Sequence, residues 1–422
     1  MKKYGKILCA LLAALLLFAA CLPGVTAVQT EEPADPPAGT SRQTPAEAAH
    51  LQFGADGSFR ILLLPDIQDG KTLSPITKQF IQTTVKAQQP DIIILTGDNI
   101  YGSWTKDPAG GEQGLRDVME MLQEMYDEGY GAPVALTFGN HDDQSNDYAK
   151  EDQMKVMSEY ACNLSIDEDL WVDGVHYTEA LENCGTYDVP IYASDGSDNV
   201  KFNLWIFDSG SYATDGNGGY DHVREKQLNW FRTTAEKLGD VNSMTFQHII
   251  MPEIYNSLEK TSYKPFGHTY NYHGTYYQLP ATAKDNSILG ESPACSEDNG
   301  GEYDALKAQG GVIACVSGHD HVNKYIVPNA DPDFPMDWIN VPTCGIASYG
   351  VTDYRGIRVI DLNESDTTTY ETAFYTYEDV MGDDSGFMFR YRFISFLTEL
   401  EYRAINVWMQ LINIFGVSNL VA

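Results

Sequence analysis

The feature that most constrains the fold is an alternation of short apolar runs with helical segments. Phe59–Leu64, Asp91–Leu95 and Pro133–Leu136 are apolar runs of strand length and predict buried strands. A helix beginning after Ser74 lies between the first two runs, and a second helix, over residues 112–128, lies between the last two. This order predicts an α/β fold, in which a ligand site lies beyond the carboxyl ends of the strands.

Polar side chains follow each of these runs at the point where the predicted strand ends. Asp66 and Gln68 follow the first run, Asp98 follows the second, and Asn140 and His141 follow the third. Polar groups at the end of a core strand contribute little to packing, whereas a reactive or metal-binding loop needs them on a rigid element. We therefore predict a ligand site at this edge of the sheet.

Histidines follow two apolar runs in the second half of the chain. Ser243–Gln247 ends at His248, and Val312–Val316 is followed by His319 and His321. A single histidine is more often a satisfied core residue than a ligand. Four of the chain's nine histidines fall at predicted strand ends, however, and three of them adjoin an aspartate. Packing alone explains that grouping poorly, so these histidines are candidate ligands.

The strand-end groups together have the chemistry of a two-metal site. Aspartate, asparagine and histidine suit Mn, Fe or Zn better than they suit a soft copper site. One bridging carboxylate can hold two such cations roughly 3.5–4 Å apart, as in two-metal hydrolases. The candidate site residues are Asp66, Gln68, Asp98, Tyr101, Asn140, His141, His248, His319 and His321.

The amino-terminal segment predicts an exported protein. It begins with basic residues, runs apolar and uncharged from Ile7 to Leu22, and has small residues at Val25–Ala27. This pattern predicts a signal peptide over residues 1–27, because the apolar run is short for a membrane span. The protein is then secreted, periplasmic or at the cell surface, with lipoprotein anchoring at Cys21 as the lesser alternative. Residues 28–52, rich in Pro, Ala, Glu and Thr, predict a flexible linker.

The charge of the chain and the spacing of its cysteines argue against a nucleic acid partner and against a zinc knuckle. The formal net charge of −33 opposes contact with a nucleic acid duplex and is compatible with binding divalent cations. Five cysteines lie beyond the predicted signal peptide without C-x-x-C spacing, which excludes a zinc knuckle. Export permits disulfides, and the sequence leaves open whether Cys162 and Cys184 form one.

Two further segments are candidates for contact with ligands or partners. Residues 256–301, rich in Tyr, Gly, Pro, Ser and Asn, predict a long loop and a candidate substrate rim. Near the carboxyl terminus no charge occurs from Ala404 to Ala422, but Asn406 and Gln410 interrupt the run, so we predict no spanning helix. That helix is expected to pack on the domain, with contact to a membrane surface or a partner as the alternative. Its apolar residues with helical spacing are Leu397, Leu400, Ala404, Trp408, Leu411 and Phe415.

Five motifs occur in an order that is typical of one family. They are Asp66-Ile67-Gln68, Gly97-Asp98-Asn99, Gly139-Asn140-His141-Asp142, His248 and Gly318-His319-Asp320-His321. The sequence thereby resembles the calcineurin-like metallophosphoesterase superfamily, and within it the purple-acid-phosphatase-like phosphoesterases. The resemblance implies an α/β fold that is a four-layer α/β/β/α sandwich of two mixed sheets, with the dimetal site at the strand carboxyl ends. It also implies a metallophosphoesterase domain over residues 53–365 and a carboxyl-terminal extension, 366–422, with an amphipathic helix.

The resemblance implies a role for each motif residue. The first metal is held by Asp66, Asp98 and His321, with Asp98 bridging. The second metal is completed by Asn140, His248 and His319. The cofactor is then two divalent or mixed-valence ions of Fe, Mn or Zn. A metal-bridging hydroxide attacks phosphorus in line, while His141 contacts the phosphoryl group beside Asn140 and assists the leaving oxygen. Asp142 and Asp143 are expected to orient these two residues.

One position departs from the family pattern. The first motif usually reads Asp-x-His, and residue 68 is glutamine, whose amide oxygen coordinates a hard cation more weakly than an imidazole does. Tyr101, three residues after Asp98, matches the Gly-Asp-x-x-Tyr motif of purple acid phosphatases, whose tyrosine binds ferric iron. Tyr101 is therefore a candidate ligand, with aromatic packing at the start of a loop as the alternative.

These implications predict an exported, metal-dependent phosphoric ester hydrolase that acts on a small phosphomonoester. A phosphodiesterase of nucleotide or lipid head-group type is the first alternative, because the core motifs do not separate the two. A protein that binds phosphorylated ligands without turnover, with a weakened first metal site, is the second alternative. Gln68 favours this last interpretation, and His141 argues against it.

Overall fold

Two large mixed sheets form the centre of the protein. The computed structural model describes residues 44–101, 108–144, 148–166, 171–172, 175–176, 181, 184–214, 219–265 and 267–415. Its strands are β1 (Ser58–Leu64), β2 (Ile92–Thr96), β3 (Val134–Thr137), β4 (Trp171–Val172), β5 (Val175–His176), β6 (Tyr187–Tyr192), β7 (Val200–Ile206), β8 (Asn242–Gln247), β9 (Glu259–Thr261), β10 (Tyr270–Tyr272), β11 (Thr275–Gln278), β12 (Lys284–Ile288), β13 (Val312–Ser317), β14 (Lys324–Pro328), β15 (Asp337–Asn340), β16 (Gly356–Asn363) and β17 (Asp366–Thr376).

Helices connect these strands and cover the sheets. They are α1 (Pro45–Ala49), α2 (Pro75–Gln88), α3 (Pro108–Asp127), α4 (Lys150–Ser158), α5 (Glu225–Leu238), α6 (Ile254–Ser257), α7 (Glu302–Gln309), α8 (Tyr377–Met381) and α9 (Ser385–Phe415). Helix α2 begins as expected, because the Ser74 hydroxyl accepts a hydrogen bond from the Ile76 N–H and Pro75 stands at the first helical position.

The first sheet contains the three apolar runs that the sequence predicts as strands. Its order is β17–β16–β1–β2–β3. Strands β1, β2 and β3 are parallel, with Leu62 opposite Ile93 and Leu95 opposite Leu136, whereas β16 and β17 add antiparallel pairs at the other side. The carboxyl ends of β1, β2 and β3 therefore meet at one edge, which carries the predicted ligand site.

The second sheet brings the histidine-bearing strands together. Its order is β12–β14–β15–β13–β8–β7–β6. The central strands β7, β8, β13 and β15 are parallel, and antiparallel strands flank them. The strands β8 and β13 are neighbours, so the residues that follow them, His248 and His319, lie close together.

The two sheets pack face to face, and helices cover their outer faces. Phe246 and Val316 of the second sheet belong to the same buried cluster as Ile94 of the first sheet. The outer face of the second sheet buries a separate cluster, in which the rings of Trp205 and Phe231 of α5 lie 4.7 Å apart. The prediction of an α/β/β/α sandwich with two mixed sheets is confirmed.

The segment over residues 256–301 is not the long loop that the sequence predicts. It contains a three-stranded sheet of order β10–β11–β9 and the edge strand β12. Its many tyrosines pair across strands and stack; Tyr270 lies opposite Tyr277, and the Tyr272 ring stacks at 3.8 Å on Tyr255 of α6, just before the segment. Aromatic residues favour pleated, half-buried surfaces, so a composition that resembles a loop forms short strands here.

The cysteines of the described residues form no disulfide. Cys162 and Cys184, whose pairing the sequence left open, are both buried free thiols, as are Cys295, Cys315 and Cys344. The core around these cysteines is therefore held by non-covalent packing and not by a covalent bridge.

The predicted domain boundaries stay predictions. Residues just before the predicted start of the domain and just after its predicted end contact the two sheets. Residues 1–27 and most of the predicted linker lie outside the described residues, but the ring of His50 stacks on Tyr192 of β6 at 3.9 Å. Strand β17 lies at the edge of the first sheet and pairs with β16 along most of its length. Among the described residues, no helix is both long enough and apolar enough to cross a membrane.

Candidate metal centre

The candidate site lies where the carboxyl ends of both sheets meet. Four of its side chains stand on residues with left-handed backbone, a conformation that costs energy for residues other than glycine. These residues and their φ angles are Asp66 (46°), Gln68 (41°), Asp98 (50°) and His319 (72°). Half of the eight described non-glycine residues with positive φ thus cluster at this one place, which is typical of a functional site.

The glycines of the motifs allow the strand ends to approach one another. A Cβ atom on Gly97 would lie 2.7 Å from the Gly139 nitrogen and 2.8 Å from His248 Nδ1, and Gly97 also has a φ of +89°. A Cβ on Gly318 would lie 2.6 Å from Asp66 Oδ2. These motif glycines are required because any side chain would occupy the space that the polar groups share.

Four acceptor atoms converge on one side of the site. His248 Nδ1 lies 2.9 Å from the Thr96 carbonyl oxygen; since a carbonyl only accepts, Nδ1 carries the hydrogen and Nε2 has the lone pair in the neutral ring. This Nε2 lies 3.2 Å from each of three atoms, namely Asp98 Oδ2, Asn140 Oδ1 and His319 Nδ1. Such a group of acceptors needs a cation or a proton between them.

The amide of Asn140 has its oxygen turned toward this group because a tyrosine holds its nitrogen. Asn140 Nδ2 donates to the Tyr212 hydroxyl at 3.0 Å. The oxygen Oδ1 therefore faces His248, which is the orientation that a metal ligand requires. Tyr212 was not among the predicted site residues.

The other side of the site has the same construction. His321 Nδ1 lies 2.9 Å from the Tyr349 carbonyl oxygen, so it carries the hydrogen, and Nε2 lies 3.3 Å from Asp66 Oδ1. The imidazole stacks on the Tyr349 ring at 4.3 Å, and the Tyr349 hydroxyl donates to the half-buried Glu291 at 3.0 Å. The Asp66 carboxylate also accepts from the His319 N–H at 3.1 Å. The ring orientation of His321 is therefore fixed by carbonyl and aromatic contacts.

These donor atoms fit two metal ions. Ligand atoms of Asp98, His248 and His319 lie within 4.8 Å of one another, and so do those of Asp66, Asp98 and His321. Asp98 belongs to both groups, as a bridging carboxylate must. The buried oxygen Gln68 Oε1 has no hydrogen-bond partner among the described residues, although buried polar atoms normally have one. The donor set and this unsatisfied oxygen suit Mn, Fe or Zn.

Gln68 contacts the bridging carboxylate. Its Nε2 donates to Asp98 Oδ2 at 2.5 Å, while Oε1 is the unsatisfied atom. The amide thus holds the position of Asp98 through a charge-assisted hydrogen bond. Whether Gln68 is itself a metal ligand stays a prediction, which would use Oε1.

Asp142 holds the two motif loops together. Its Oδ1 accepts from the backbone N–H groups of Asn99 (2.9 Å) and Ile100 (3.0 Å). Its Oδ2 accepts from the Gly139 N–H (2.8 Å) and from Asn99 Nδ2 (3.2 Å). Burial and the nearby Asp98 carboxylate raise the pKa of Asp142 to about 7. Asp142 therefore has the predicted orienting position, whereas Asp143 is exposed and does not share it.

His141 is half-buried beside the ligand groups and is positioned by its own backbone. Its N–H donates to Asp98 Oδ1 at 2.8 Å. Its Nδ1 lies 2.7 Å from Gln144 Oε1, and Gln144 Nε2 donates to the Tyr212 hydroxyl at 3.1 Å. The amide orientation therefore places the hydrogen on His141 Nδ1 in the neutral ring and leaves Nε2 as the atom that can meet a ligand.

Tyr101, the candidate ferric ligand, lies against His141. Their ring centroids are 4.9 Å apart with an interplanar angle of 42°. This contact agrees with the aromatic-packing alternative and leaves the ligand role as a prediction. Residues 102–107, which follow Tyr101, lie outside the described residues.

The charges of the site reflect the crowding of acceptors. Burial opposes ionisation of Asp98, but the imidazole of His248 outweighs it and lowers the pKa of Asp98 well below its usual range. Burial lowers and the Asp98 charge raises the pKa of His248, with a net value of about 9. Burial and the neighbouring His248 lower the pKa of His319. Without a metal ion, His248 is therefore protonated at neutral pH, and its positive charge stabilises the acceptor atoms around it.

Sequence reasoning missed the residues that orient the ligands. The aromatic ring of Tyr220 meets the His319 ring edge-on at 4.4 Å and stacks on Tyr212 at 5.6 Å. Tyr349 and Glu291 support His321 from the other side. None of these residues adjoins a motif at a fixed spacing, so the sequence alone carries little indication of their positions.

The family of the chain is decided by its sequence match. Residues 59–323 match the model of the calcineurin-like phosphoesterase family, which is more than half of the 422 residues. The chain belongs to the calcineurin-like phosphoesterase family. The match spans all five motifs, from the Asp66 motif to His321, and it includes the two groups of residues that could hold a metal ion.

Relatives of this calcineurin-like phosphoesterase are purple-acid-phosphatase-like proteins. It is 28% identical over 353 residues to "Probable inactive purple acid phosphatase 14" of Arabidopsis thaliana, covering 74% of this chain and 77% of that protein. "Probable inactive purple acid phosphatase 28" of the same plant is 27% identical, covering 65% and 68%. "Phosphatase DCR2" of Saccharomyces cerevisiae is 26% identical, covering 68% of this chain and 48% of that protein.

Solved structures are similar to the chain at lower identity. Purple acid phosphatase PPD1 from yellow lupin seeds has a TM-score of 0.38 and 12% identity, covering 78% of this chain and 56% of that one. The names of the relatives include both phosphatases and proteins called inactive.

Proposed function

We propose that the protein is an exported metal-dependent phosphoesterase that hydrolyses a phosphomonoester. The observation that carries this proposal is the position of His141 beside the ligand groups, with Nδ1 held by Gln144 and its backbone N–H on Asp98. A protein that only binds phosphorylated ligands has no need of an imidazole oriented in this way. The predicted signal peptide, residues 1–27, supports export.

The residues that would hold the two metal ions are those whose acceptor atoms converge. The proposed ligands are Asp66, Asp98, Asn140, His248, His319 and His321, with Gln68 and Tyr101 as further candidates. Two bound cations would supply Lewis-acid activation of a phosphate ester and of a water molecule. The carbonyl groups of Thr96 and Tyr349 fix the tautomers of His248 and His321, so both present Nε2 to the site.

His141 is the proposed proton donor. With Nδ1 paired to Gln144, a proton enters and leaves the ring at Nε2, which is the atom available to the leaving oxygen of the substrate. Asn140 contributes its Oδ1 to the ligand group while Tyr212 holds its Nδ2. The two neighbouring residues thus have separate roles.

A phosphodiesterase is the second candidate, and one observation favours it. Tyr212 and Tyr220 stack beside His319, and Tyr212 is exposed. Their aromatic faces could receive the second esterified group of a diester. A monoester has no such group to place there.

The test compares a chromogenic monoester with the matching diester. Purified protein is loaded with Mn, Fe or Zn and assayed on p-nitrophenyl phosphate and bis(p-nitrophenyl) phosphate. We expect the higher kcat/KM on the monoester. His141→Ala is expected to lower kcat by about 10²- to 10⁴-fold at unchanged metal content, and Asp98→Asn to lose both metal and activity.

The matched control is His273→Ala, which removes an exposed histidine and is expected to keep the wild-type rate. Equal rates for wild type, His141→Ala and Asp98→Asn would refute catalysis at this site. A higher kcat/KM on the diester would select the second candidate. Metal and phosphate binding without turnover would show a binding protein.

A further inference from the structure

The carboxyl-terminal helix α9 packs on the domain through a face that buries Phe387 and Tyr391 in the core and continues with hydrogen-bonding side chains. The Tyr402 hydroxyl donates to the Gly290 carbonyl at 2.7 Å, and Glu399 accepts from the Thr352 N–H at 3.1 Å. Ser395 shares a hydrogen bond of 3.0 Å with the Thr352 hydroxyl. These contacts fix the rotation of the helix, because they repeat at intervals of three and four residues along one face.

The opposite face of α9 is apolar and faces solvent. Seven large side chains of this face have exposed fractions between 44% and 75%; they are Phe389, Phe393, Phe396, Leu397, Leu400, Val407 and Trp408. We call these seven residues the outer stripe. At about 100° per residue they lie on one side of the helix. A surface helix normally buries such a face, and a continuous exposed apolar patch marks an interaction site.

Three residues of the outer stripe belong to the apolar set of the helix that the sequence predicts to pack on the domain. Leu397, Leu400 and Trp408 have the predicted helical spacing, but they point away from the domain and are exposed. The spacing correctly predicts an amphipathic helix. It does not show which face meets the protein; the burial of Phe387 and Tyr391 and the hydrogen bonds of α9 decide this.

The charge of the helix differs from that of the rest of the chain. Residues 385–422 contain three arginines and two glutamates, a net charge of +1, so the remaining residues carry −34. By the helical rotation, Arg390 lies at one edge of the outer stripe, and Arg392 and Arg403 lie at the other edge. Arg392 and Arg403 are paired with Glu378 and Glu399, so these edges carry nearly balanced charges. An apolar, aromatic stripe between such edges complements a zwitterionic lipid surface, whose charged groups lie directly above the acyl chains.

A groove beside the start of α9 has the same character. It has a volume of about 520 Å³ and lies between α8 and α9. Its walls include Met388, Phe389, Phe393 and Phe396, with the ion pair of Arg392 and Glu378 at its side. Apolar walls next to an arginine would accept the upper part of an acyl chain below its head group.

We propose that α9 lies in the plane of a lipid–water interface, with the outer stripe inserted and the opposite face held on the domain. The stripe extends from Phe389 to Trp408, about 29 Å at 1.5 Å per residue, so it offers a long, narrow contact. A second copy of this chain is a poorer occupant, because two bodies of charge −34 would repel each other where the helices meet. The helix lies on the bilayer and does not cross it.

The experiment is flotation of the protein with vesicles of phosphatidylcholine, a lipid without net charge, which does not repel a protein of net charge −33. The protein is used with and without residues 1–27, because Ile7–Leu22 is itself apolar, and the compact unit Ser41–Ala422 contains none of those residues. The variant carries Phe393→Ser, Leu397→Ser and Trp408→Ser. The control is Tyr126→Ser, an exposed aromatic residue on α3. Molecular mass in solution is measured by light scattering.

We expect the shortened wild type and the control to float with the vesicles, and the triple variant to lose partitioning by on the order of 100-fold or more. Binding should persist at 0.5 M NaCl, since apolar burial is not screened by salt. Circular dichroism and metal content show whether the variant keeps its fold. Absence of vesicle binding by the folded wild type overturns the proposal. So does a wild-type dimer that the triple variant converts to a monomer without any vesicle binding.

Discussion

Substitution of Asp142 is the strongest single test of how the site is assembled. The Asp142 carboxylate accepts four hydrogen bonds and joins the loop after β2 to the loop after β3. In Asp142→Asn one oxygen becomes an amino group, so two of the four donors lose their acceptor. The neighbouring Asp143→Asn makes the same chemical change at an exposed position and is the matched control.

The magnitude follows from the number of donors left unsatisfied. Each buried donor without an acceptor costs about 1–3 kcal/mol, so two cost about 2–6 kcal/mol. The neutral amide is easier to bury than the carboxylate, whose pKa burial raises to about 7. We therefore expect Asp142→Asn to lower the free energy of unfolding by about 2–4 kcal/mol, and Asp143→Asn to change it by less than about 0.5 kcal/mol.

The assay is urea unfolding followed by circular dichroism, with EDTA present so that metal binding does not contribute. Metal affinity is then measured separately on both variants. The loosened loops of Asp142→Asn should weaken it by about 10- to 100-fold, because groups that orient ligands have effects of that size. The reasoning fails if both variants unfold at the wild-type urea concentration, or if Asp143→Asn is destabilised as much as Asp142→Asn.

Three further changes test separate parts of the site and core. Tyr212→Phe removes the hydroxyl that orients Asn140, so Mn²⁺ affinity at one of two sites should fall about 10- to 100-fold by titration; an equal fall in Tyr220→Phe, which keeps the ring against His319, would contradict this. If Tyr101 is a ferric ligand, the iron-loaded protein has a visible charge-transfer colour that Tyr101→Phe abolishes; colour in neither protein removes it as a ligand. Burial raises the pKa of Glu302 to about 8, above its ordinary value of 4.5. Because the unfolded chain releases this proton at lower pH, the folded protein loses stability as pH rises from 4.5 through 8. Glu302→Gln should therefore raise the melting temperature at pH 8.5 and leave it unchanged near pH 4.5; equal shifts at both values would refute the assignment.

The fold and the ligand groups could be predicted because their information is local. Each apolar run and the polar residue after it are neighbours in sequence, as with Leu64 and Asp66 or Gln247 and His248. The parallel order of the strands then brings the strand ends of each sheet to one edge of that sheet. The meeting of the two edges follows from the packing of the two sheets, which the family resemblance implied and the local patterns did not.

The residues that orient the ligands could not be predicted in the same way. Tyr212 meets Asn140 and Gln144 across 72 and 68 residues of sequence, and the contact exists only after the two sheets have packed. The pairing of tyrosines over residues 256–301 and the rotation of α9 depend likewise on tertiary contacts. The composition of residues 256–301 predicted a loop, and the apolar periodicity of α9 did not show which face of the helix meets the domain.

The central claim is that two overlapping groups of ligands, which share Asp98, hold two metal ions. Its most direct test is the metal content of protein loaded with Mn, Fe or Zn and then freed of excess metal by gel filtration, measured by plasma mass spectrometry. We predict two metal ions per chain for the wild type and for Asp143→Asn, and at most one for Asp98→Asn. Less than one ion in the wild type, or two ions in Asp98→Asn, would contradict the account.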